Sequence, residues 1–579
     1  MRRPPVRRLI ALFAFLFFSL GGIVVRLSVL QVRDASAYEH MAMSQRLRVI
    51  ALPAQRGSLL DDDRQPLAMS LDAKDVYADP KTVGDPAGTA AILAGPLKTS
   101  TRKLEALLSE DTSFVYLARH IDLGTAASIE KMNLPGIGFL DSSRRVYPDG
   151  SLAPQVLGFV GIDDNGYVNR GLNGLELQYQ SRLAGRPGKR TIEIDPAGNL
   201  IPQGVNKDTP PVPGQDVVTT LDKELQFRAQ AALEQAVRSN GAKGGSVIVM
   251  DPRSGDIVAM ATYPWFNPNV FQDYHDEGVF QNLPITAVYE PGSVNKVVTA
   301  AAAIQDHAIP LTKRLLVSDT YRVSDGVFHD AESHPPTEMT LADIISQSSN
   351  IGTTMVAQRV GAPRLYHFLQ RFGLSTKTGI AFPGEVDPIL PTLPHWSGTS
   401  IATIAFGQGV AVTPLQMAAV YGAIANGGEW VQPRLVEGFV GPSGSYTSAP
   451  APLRHRVISK RSDKILREIL AYAVDNGTGT AAQIPGYWVA GKTGTALIPN
   501  PAGGYYGGRY MASFIGLVPA SSPRLVIAVI LDQPVTEFGG IASAPLFQSL
   551  ARAAIARLGI PPGTRLPLPP HAIPYTPGH

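Results

Sequence analysis

Cysteine is absent from all 579 residues. That absence excludes a disulfide framework, thiolate metal sites and a cysteine nucleophile, and it suits an oxidising compartment. Charge is also sparse: charged residues make up 17% and the formal net charge is +3, so nothing in the balance points to nucleic acid. There are 11 histidines, but no pair has metal-ligand spacing and His-Glu-x-x-His is missing. His329 and His334 read as loop histidines near the start of a helical stretch. No Gly-x-Ser-x-Gly elbow is present. Long apolar runs are missing everywhere except near the start of the chain.

What remains is a globular composition, 44% hydrophobic with 48 prolines, in a chain long enough for more than one domain. Arg2, Arg3, Arg7 and Arg8 come first, and no acid precedes Asp34. Leu9–Val25 is apolar, and Leu27, Val29 and Leu30 extend the pattern past Arg26. This predicts an uncleaved membrane anchor over 9–30, with 1–8 in the cytoplasm and the rest outside. A cleaved signal peptide is the competing reading.

Residues 31–213 alternate short strands and helices with scattered Gly and Pro, which predicts an elongated, irregular α+β module. Pro210–Gly214 reads as a joint. From 214 to 560 the pattern is strand, helix, two strands, a long helical stretch from Ser293 to Ala425, strands near 487–490, 513–517 and 525–531, and a last helix. That order predicts a multidomain α+β protein. Its second domain has an antiparallel sheet with an inserted helical subdomain. Residues 561–579 form a Pro-rich tail.

Chemistry concentrates at Tyr289-Glu290-Pro291-Gly292-Ser293-Val294-Asn295-Lys296, which runs into an apolar helix former. Pro291 and Gly292 break the chain, so Ser293 falls at a helix start with Lys296 on the same face. A serine hydroxyl needs a base within reach, and a lysine whose pKa burial lowers can serve. The same spacing at Ser100/Lys103 and Ser128/Lys131 lacks this context. Ser348-Ser349-Asn350 offers a hydroxyl and an amide two residues apart, able to relay a proton and bind a carbonyl.

Lys492-Thr493-Gly494-Thr495 follows the β-prone Tyr487–Ala490 and offers a strand edge, a cation and two hydroxyls along one cleft. Lys377-Thr378-Gly379 has the same letters in a loop context. Gly486–Thr493 also matches the phosphate-loop pattern, but the prolines after it forbid the helix that pattern needs. Pro499–Tyr510, rich in Gly and Tyr, predicts a mobile loop whose Tyr505 or Tyr506 closes on a ligand; a plain surface hairpin is the alternative.

Ser-x-x-Lys, Ser-x-Asn and Lys-Thr-Gly, in that order, resemble the set of penicillin-binding proteins and serine β-lactamases. Arg56-Gly57, Gly174-Leu175-Glu176 and Leu183-Ala184-Gly185 resemble the non-catalytic pedestal of a class B penicillin-binding protein. Asp251-Pro252, Tyr263-Pro264 and Thr413-Pro414-Leu415-Gln416 resemble its transpeptidase domain. Glu290–Ser293, Ser348–Gly352 and Ser513–Gly516 look more like the septal, FtsI-type enzyme than the elongation type. One departure is Asp61-Asp62-Asp63-Arg64, where the family has Asp-Arg-x-Gly. No glycosyltransferase segment is visible, which argues against a bifunctional class A enzyme.

The resemblance implies a peptidoglycan D,D-transpeptidase working through an acyl-serine. Ser293, Lys296, Ser348, Asn350 and Lys492 would be catalytic, and Thr493, Gly494, Thr495, Tyr505 and Tyr506 would bind substrate. It implies no metal or organic cofactor. It implies stem peptides ending in D-Ala-D-Ala as donors, β-lactams as inhibitors, and a SEDS-type glycosyltransferase and divisome membrane proteins as partners. The setting would be single-pass in a bacterial inner membrane, with the catalytic domain outside the cytoplasm. An elongation-type enzyme and an anchored D,D-carboxypeptidase or β-lactamase are the competing functions.

Overall fold

The computed structural model describes residues 6–162, 169–194, 201–536 and 538–569. The chain folds as two compact units, each built from separate stretches: 1–55 with 185–213, and 56–184 with 214–579.

In the first unit, α1 (Val6–Ser28) continues as a π-helical turn, Val29–Arg33. The combined helix, Val6–Arg33, has 28 residues and none of its most apolar stretch is buried against protein. At about 1.5 Å per residue it exceeds the ~30 Å of a bilayer's hydrocarbon core. It starts before and ends after the expected 9–30 span. A second helix, Ala35–Arg46, leads into a three-stranded antiparallel sheet of Leu47–Leu52, Gly188–Glu193 and Asn206–Thr209.

The second unit holds two bodies of secondary structure. In the first, the long strand Pro66–Ala78 pairs with Val115–Asp122 and Ile137–Val146 over a small core that includes Val76, Leu93, Leu104 and Ile129. Beside it lies a buried ionic cluster. Arg56 and Arg145 both donate to Glu176, at 2.7 and 2.6 Å, and Tyr147 Oη donates at 3.3 Å. Glu176 is 0% exposed. Burial alone would raise its pKa, but Arg145 and Arg56 outweigh that and hold the carboxyl below its ordinary range.

The other body is built on a five-stranded antiparallel sheet. Its strands are β1 (Gly244–Met250), β2 (Ile257–Tyr263), β3 (Ala490–Pro499), β4 (Tyr505–Val518) and β5 (Leu525–Asp532), in the order β2-β1-β5-β4-β3. Burial follows strand composition: β1 and β5 are apolar and covered on both faces. One face takes α2 (Lys223–Ser239) and a late helix, Ala544–Arg557. The other takes the inserted helical subdomain, whose central helix α3 (Lys296–Gln305) is buried all round. Its alanine run, Ala300–Ala303, lets neighbouring helices approach on every side. The antiparallel sheet and inserted helices match the sequence expectation, but the stretch expected to be helical from Ser293 to Ala425 also holds four short strands, Leu315–Val317, Thr320–Val323, Gly326–His329 and Thr337–Met339.

Two local expectations change. The strand expected at 487–490 begins at Ala490, so Lys492–Thr495 lies inside β3, not after it. The supposed loop 499–510 is mostly hairpin: Pro499 pairs with Tyr505 and Leu497 with Tyr510. The glycines serve the turn and a bulge, and the tyrosines fit a pleated surface.

Candidate active site

Ser293 lies half-buried in a short 3-10 turn, Gly292–Asn295, which feeds directly into α3 at Lys296. The turn is bound on several sides. Tyr421 Oη donates to the Val294 carbonyl at 3.1 Å, Asn295 Nδ2 to the Ile404 carbonyl at 2.9 Å, and Thr299 Oγ1 to the Ala405 carbonyl at 2.9 Å. Gly292 adopts φ +58°, and a Cβ there would stand 2.8 Å from the Thr495 carbonyl oxygen. Glycine is therefore required both by the left-handed backbone and by the close approach of β3. Gly494 answers from the other side, where a Cβ would stand 2.9 Å from a Val294 methyl and 3.2 Å from the Pro291 carbonyl oxygen. The turn carrying Ser293 and the strand carrying Lys492–Thr495 thus touch backbone to backbone.

Lys296 is 0% exposed. Its Nζ donates to the Ser348 carbonyl, to Asn350 Oδ1 at 2.8 Å and to Ser348 Oγ at 3.3 Å. Burial lowers its pKa to about 7, opposed by the Asp330 carboxylate. A neutral amine has two N–H bonds and one lone pair, so it can keep two of these contacts and still accept a proton. Lys492, 1% exposed on β3, has its pKa held well below the ordinary lysine value, first by burial and then by the positive charge of Lys296. Its Nζ donates to the Thr493 carbonyl at 3.3 Å and to Thr493 Oγ1 at 3.2 Å.

The second motif sits between two helices, α4 (Leu341–Ser346) and α5 (Asn350–Val360). Thr340 and Asp343 close a capping box on α4, and Ser349 caps α5 by accepting from the Gly352 N–H. Ser348, at φ +60°, is the joint. One residue the sequence reading missed holds this joint. Asp330 Oδ1 accepts from the backbone N–H groups of Asn350 and Ile351, and Oδ2 accepts from Ser349 Oγ at 2.7 Å and His334 Nε2 at 3.1 Å. The His334 Nδ1 faces the Pro335 carbonyl at 2.8 Å, so both ring nitrogens meet acceptors and the imidazolium satisfies both. Burial opposes that form, but the Pro335 carbonyl and Asp330 outweigh it, and His334 sits above its ordinary pKa. His329, expected in a loop, instead ends the short strand Gly326–His329 and lends its carbonyl to Asn350 Nδ2 at 3.0 Å.

The remaining sequence candidates separate clearly. Thr495 Oγ1 accepts from the Gly539 N–H at 3.3 Å. Tyr505 Oη donates to Glu290 Oε2 at 2.9 Å, and Glu290 Oε1 accepts from the Gly409 N–H at 2.9 Å. Tyr505 therefore pins the hairpin to the segment just before Ser293. Tyr506 stacks under Arg509 at 4.6 Å. The decoys stand elsewhere: Ser100 caps the helix Thr101–Leu108, Ser128 donates to the Gly124 carbonyl, and Lys377 lies in a loop 3.7 Å from Asp387. Lys492 and Thr493 sit mid-strand with no helix after them, which removes the phosphate-loop reading.

A buried amine at the first turn behind a serine, a hydroxyl and amide on that amine, and a lysine-threonine strand edge against the same turn form a serine acyl-transfer site. Comparison with known proteins gives the family. Residues 245–552 match the penicillin binding protein transpeptidase domain, and residues 51–219 match the penicillin-binding protein dimerisation domain. Penicillin-binding protein PbpB of Mycobacterium tuberculosis is 36% identical over 93% of this chain and 83% of its own length. Peptidoglycan D,D-transpeptidase FtsI of Escherichia coli is 30% identical over 94% of this chain and 91% of its own. The crystal structure of penicillin binding protein 3 from M. tuberculosis complexed with aztreonam superposes with a TM-score of 0.71 at 32% identity, covering 90% of this chain and 100% of that one. The chain belongs to the class B penicillin-binding proteins of the PbpB and FtsI kind, the serine-type peptidoglycan D,D-transpeptidases.

Proposed function

We propose that this chain closes peptide cross-links during septal wall synthesis, with Ser293 as the nucleophile. The observation that carries the reading is the buried Lys296 amine, bound to Ser348 and Asn350 one turn behind Ser293 and facing β3. Lys296 takes the Ser293 proton, and Ser293 Oγ attacks the penultimate D-Ala carbonyl of a stem peptide. The N–H groups of Ser293 and Thr495 receive the oxyanion. Ser348 passes a proton to the leaving D-Ala amine, with Lys492 holding the electrostatics of this relay. Asn350 binds the substrate amide, and Thr493 and Thr495 bind the terminal carboxylate beside Gly494. An amine from a neighbouring stem then attacks the ester, forming the cross-link and releasing Ser293. β-Lactams enter by the same route and stop at the ester.

In this reading residues 9–30, within the helix Val6–Arg33, are a single-pass anchor, 31–213 the pedestal and 214–560 the transpeptidase domain, and the anchor leaves both domains outside the cytoplasm. Its partners are a SEDS-type glycosyltransferase and the divisome membrane proteins. Two measurements test the function. The purified chain, given a D-Ala-D-Ala donor and an amine acceptor, yields cross-linked peptide in preference to hydrolysed donor. Depleting it in cells gives filaments. Round cells would mean an elongation role, and hydrolysed donor in place of cross-linked peptide would mean a hydrolase.

A further inference from the structure

Thr493 Oγ1 lies between two polar neighbours. Lys492 Nζ donates to it at 3.2 Å, and the hydroxyl of Thr478 stands 2.7 Å away. Thr478 follows the helix α6 (Lys460–Asn476), and no sequence motif marks it. Its backbone N–H donates to the carbonyl of Ser346, the last residue of α4, at 3.1 Å. The helix that presents Ser348 therefore also fixes Thr478. Among the described residues, Thr493 Oγ1 is the hydrogen-bond partner of the Thr478 hydroxyl.

A hydroxyl has one hydrogen to give and two lone pairs to receive. Lys492 occupies one lone pair of Thr493. If Thr493 gave its hydrogen to Thr478, only a lone pair would be left to face a carboxylate, and the two would repel. If Thr478 gives its hydrogen, both lone pairs of Thr493 are filled and its own hydrogen must point outward. We propose that Thr478 is a positioning residue that donates to Thr493 and so aims the Thr493 hydroxyl hydrogen at the terminal carboxylate of the donor peptide. This rests on the reading of Thr493 as a carboxylate ligand.

The test compares acylation by benzylpenicillin with acylation by its methyl ester, which keeps the ring and removes the anionic carboxylate. The ratio of the two rate constants is the readout, because a packing defect lowers both rates together. Thr478→Val lowers the acid-to-ester ratio about three- to tenfold, the span of one neutral hydrogen bond. Thr478→Ala does the same should valine disturb the fold, and Thr478→Ser restores the ratio. Thr493→Val, run alongside, also lowers it. A ratio unchanged or raised in Thr478→Val and Thr478→Ala, with Thr493→Val lowered, overturns the proposal and leaves the carboxylate reading standing. A ratio unchanged in Thr493→Val overturns both.

Discussion

At the scale of residues, the site is a set of groups displaced from their ordinary chemistry by burial. Lys296 is the clearest case. Its pKa of about 7 means the free base grows as pH rises through neutrality. A general base works only when unprotonated, so the acylation rate constant should rise with pH, level off above about 7, and fall about tenfold per unit on the acid side. Stopped-flow acylation across pH 5–9 checks this, and a flat profile would remove Lys296 as the base. Asp330 tunes the same group. Its carboxylate raises the Lys296 pKa against the larger effect of burial, so Asp330→Asn should move the acid limb to lower pH. It should also slow the plateau about 10- to 100-fold by loosening the joint at Ser348–Ile351. An unmoved limb with an unchanged plateau would make Asp330 a bystander. Ser293, Lys296, Ser348, Asn350 and Lys492 could be proposed from the sequence because each carries its own functional group at fixed spacing, and the fold brings the turn, the Ser348–Asn350 joint and β3 together. Asp330 and Thr478 could not, because they act through backbone N–H groups and through a second hydroxyl, and no spacing in the chain records that.

At the scale of elements, the same letters acquire different meanings from the structure around them. Lys492 sits in β3 against the Ser293 turn, while Lys377 sits in a loop. Lys492→Ala should lower acylation about 100-fold or more, the scale of losing a preorganised charge at a reacting centre, and Lys377→Ala should leave it at the wild-type rate. Equal losses in a labelling time course would show the wrong strand was chosen. The sequence revealed the antiparallel sheet and the inserted helices through alternation and apolar runs. It misjudged 499–510 because Gly and Tyr suit both a mobile loop and a bulged hairpin, and only pairing with Leu497 and Pro499 decides between them.

The Glu176 cluster joins the Arg56, Arg145 and Glu176 segments by charge. Glu176→Ala would leave two arginines buried without their shared carboxylate, a loss of about 3–5 kcal/mol. Denaturant unfolding measures it. Because the folded pKa of Glu176 is depressed, its stabilisation is present above the ordinary carboxyl range and is lost as pH falls through the lower folded value. The wild type should lose this increment on acidification, whereas Glu176→Ala should not.

At the scale of the molecule, the apolar helix Val6–Arg33, 28 residues long, and the proposed acyl-transfer site set where the chain works and what it does there. Deleting residues 1–33 should shift the protein from the membrane to the aqueous fraction, and retention in the membrane would show another anchor. Acyl transfer by this mechanism requires that Ser293 carry the acyl group. The full chain in membranes, labelled with a fluorescent penicillin and digested, should yield one modified peptide with the adduct on Ser293. Ser293→Ala should give no label with its unfolding transition unchanged. Adduct on Ser100, Ser128 or Ser348, or persistent label in Ser293→Ala, would show that Ser293 is not the nucleophile.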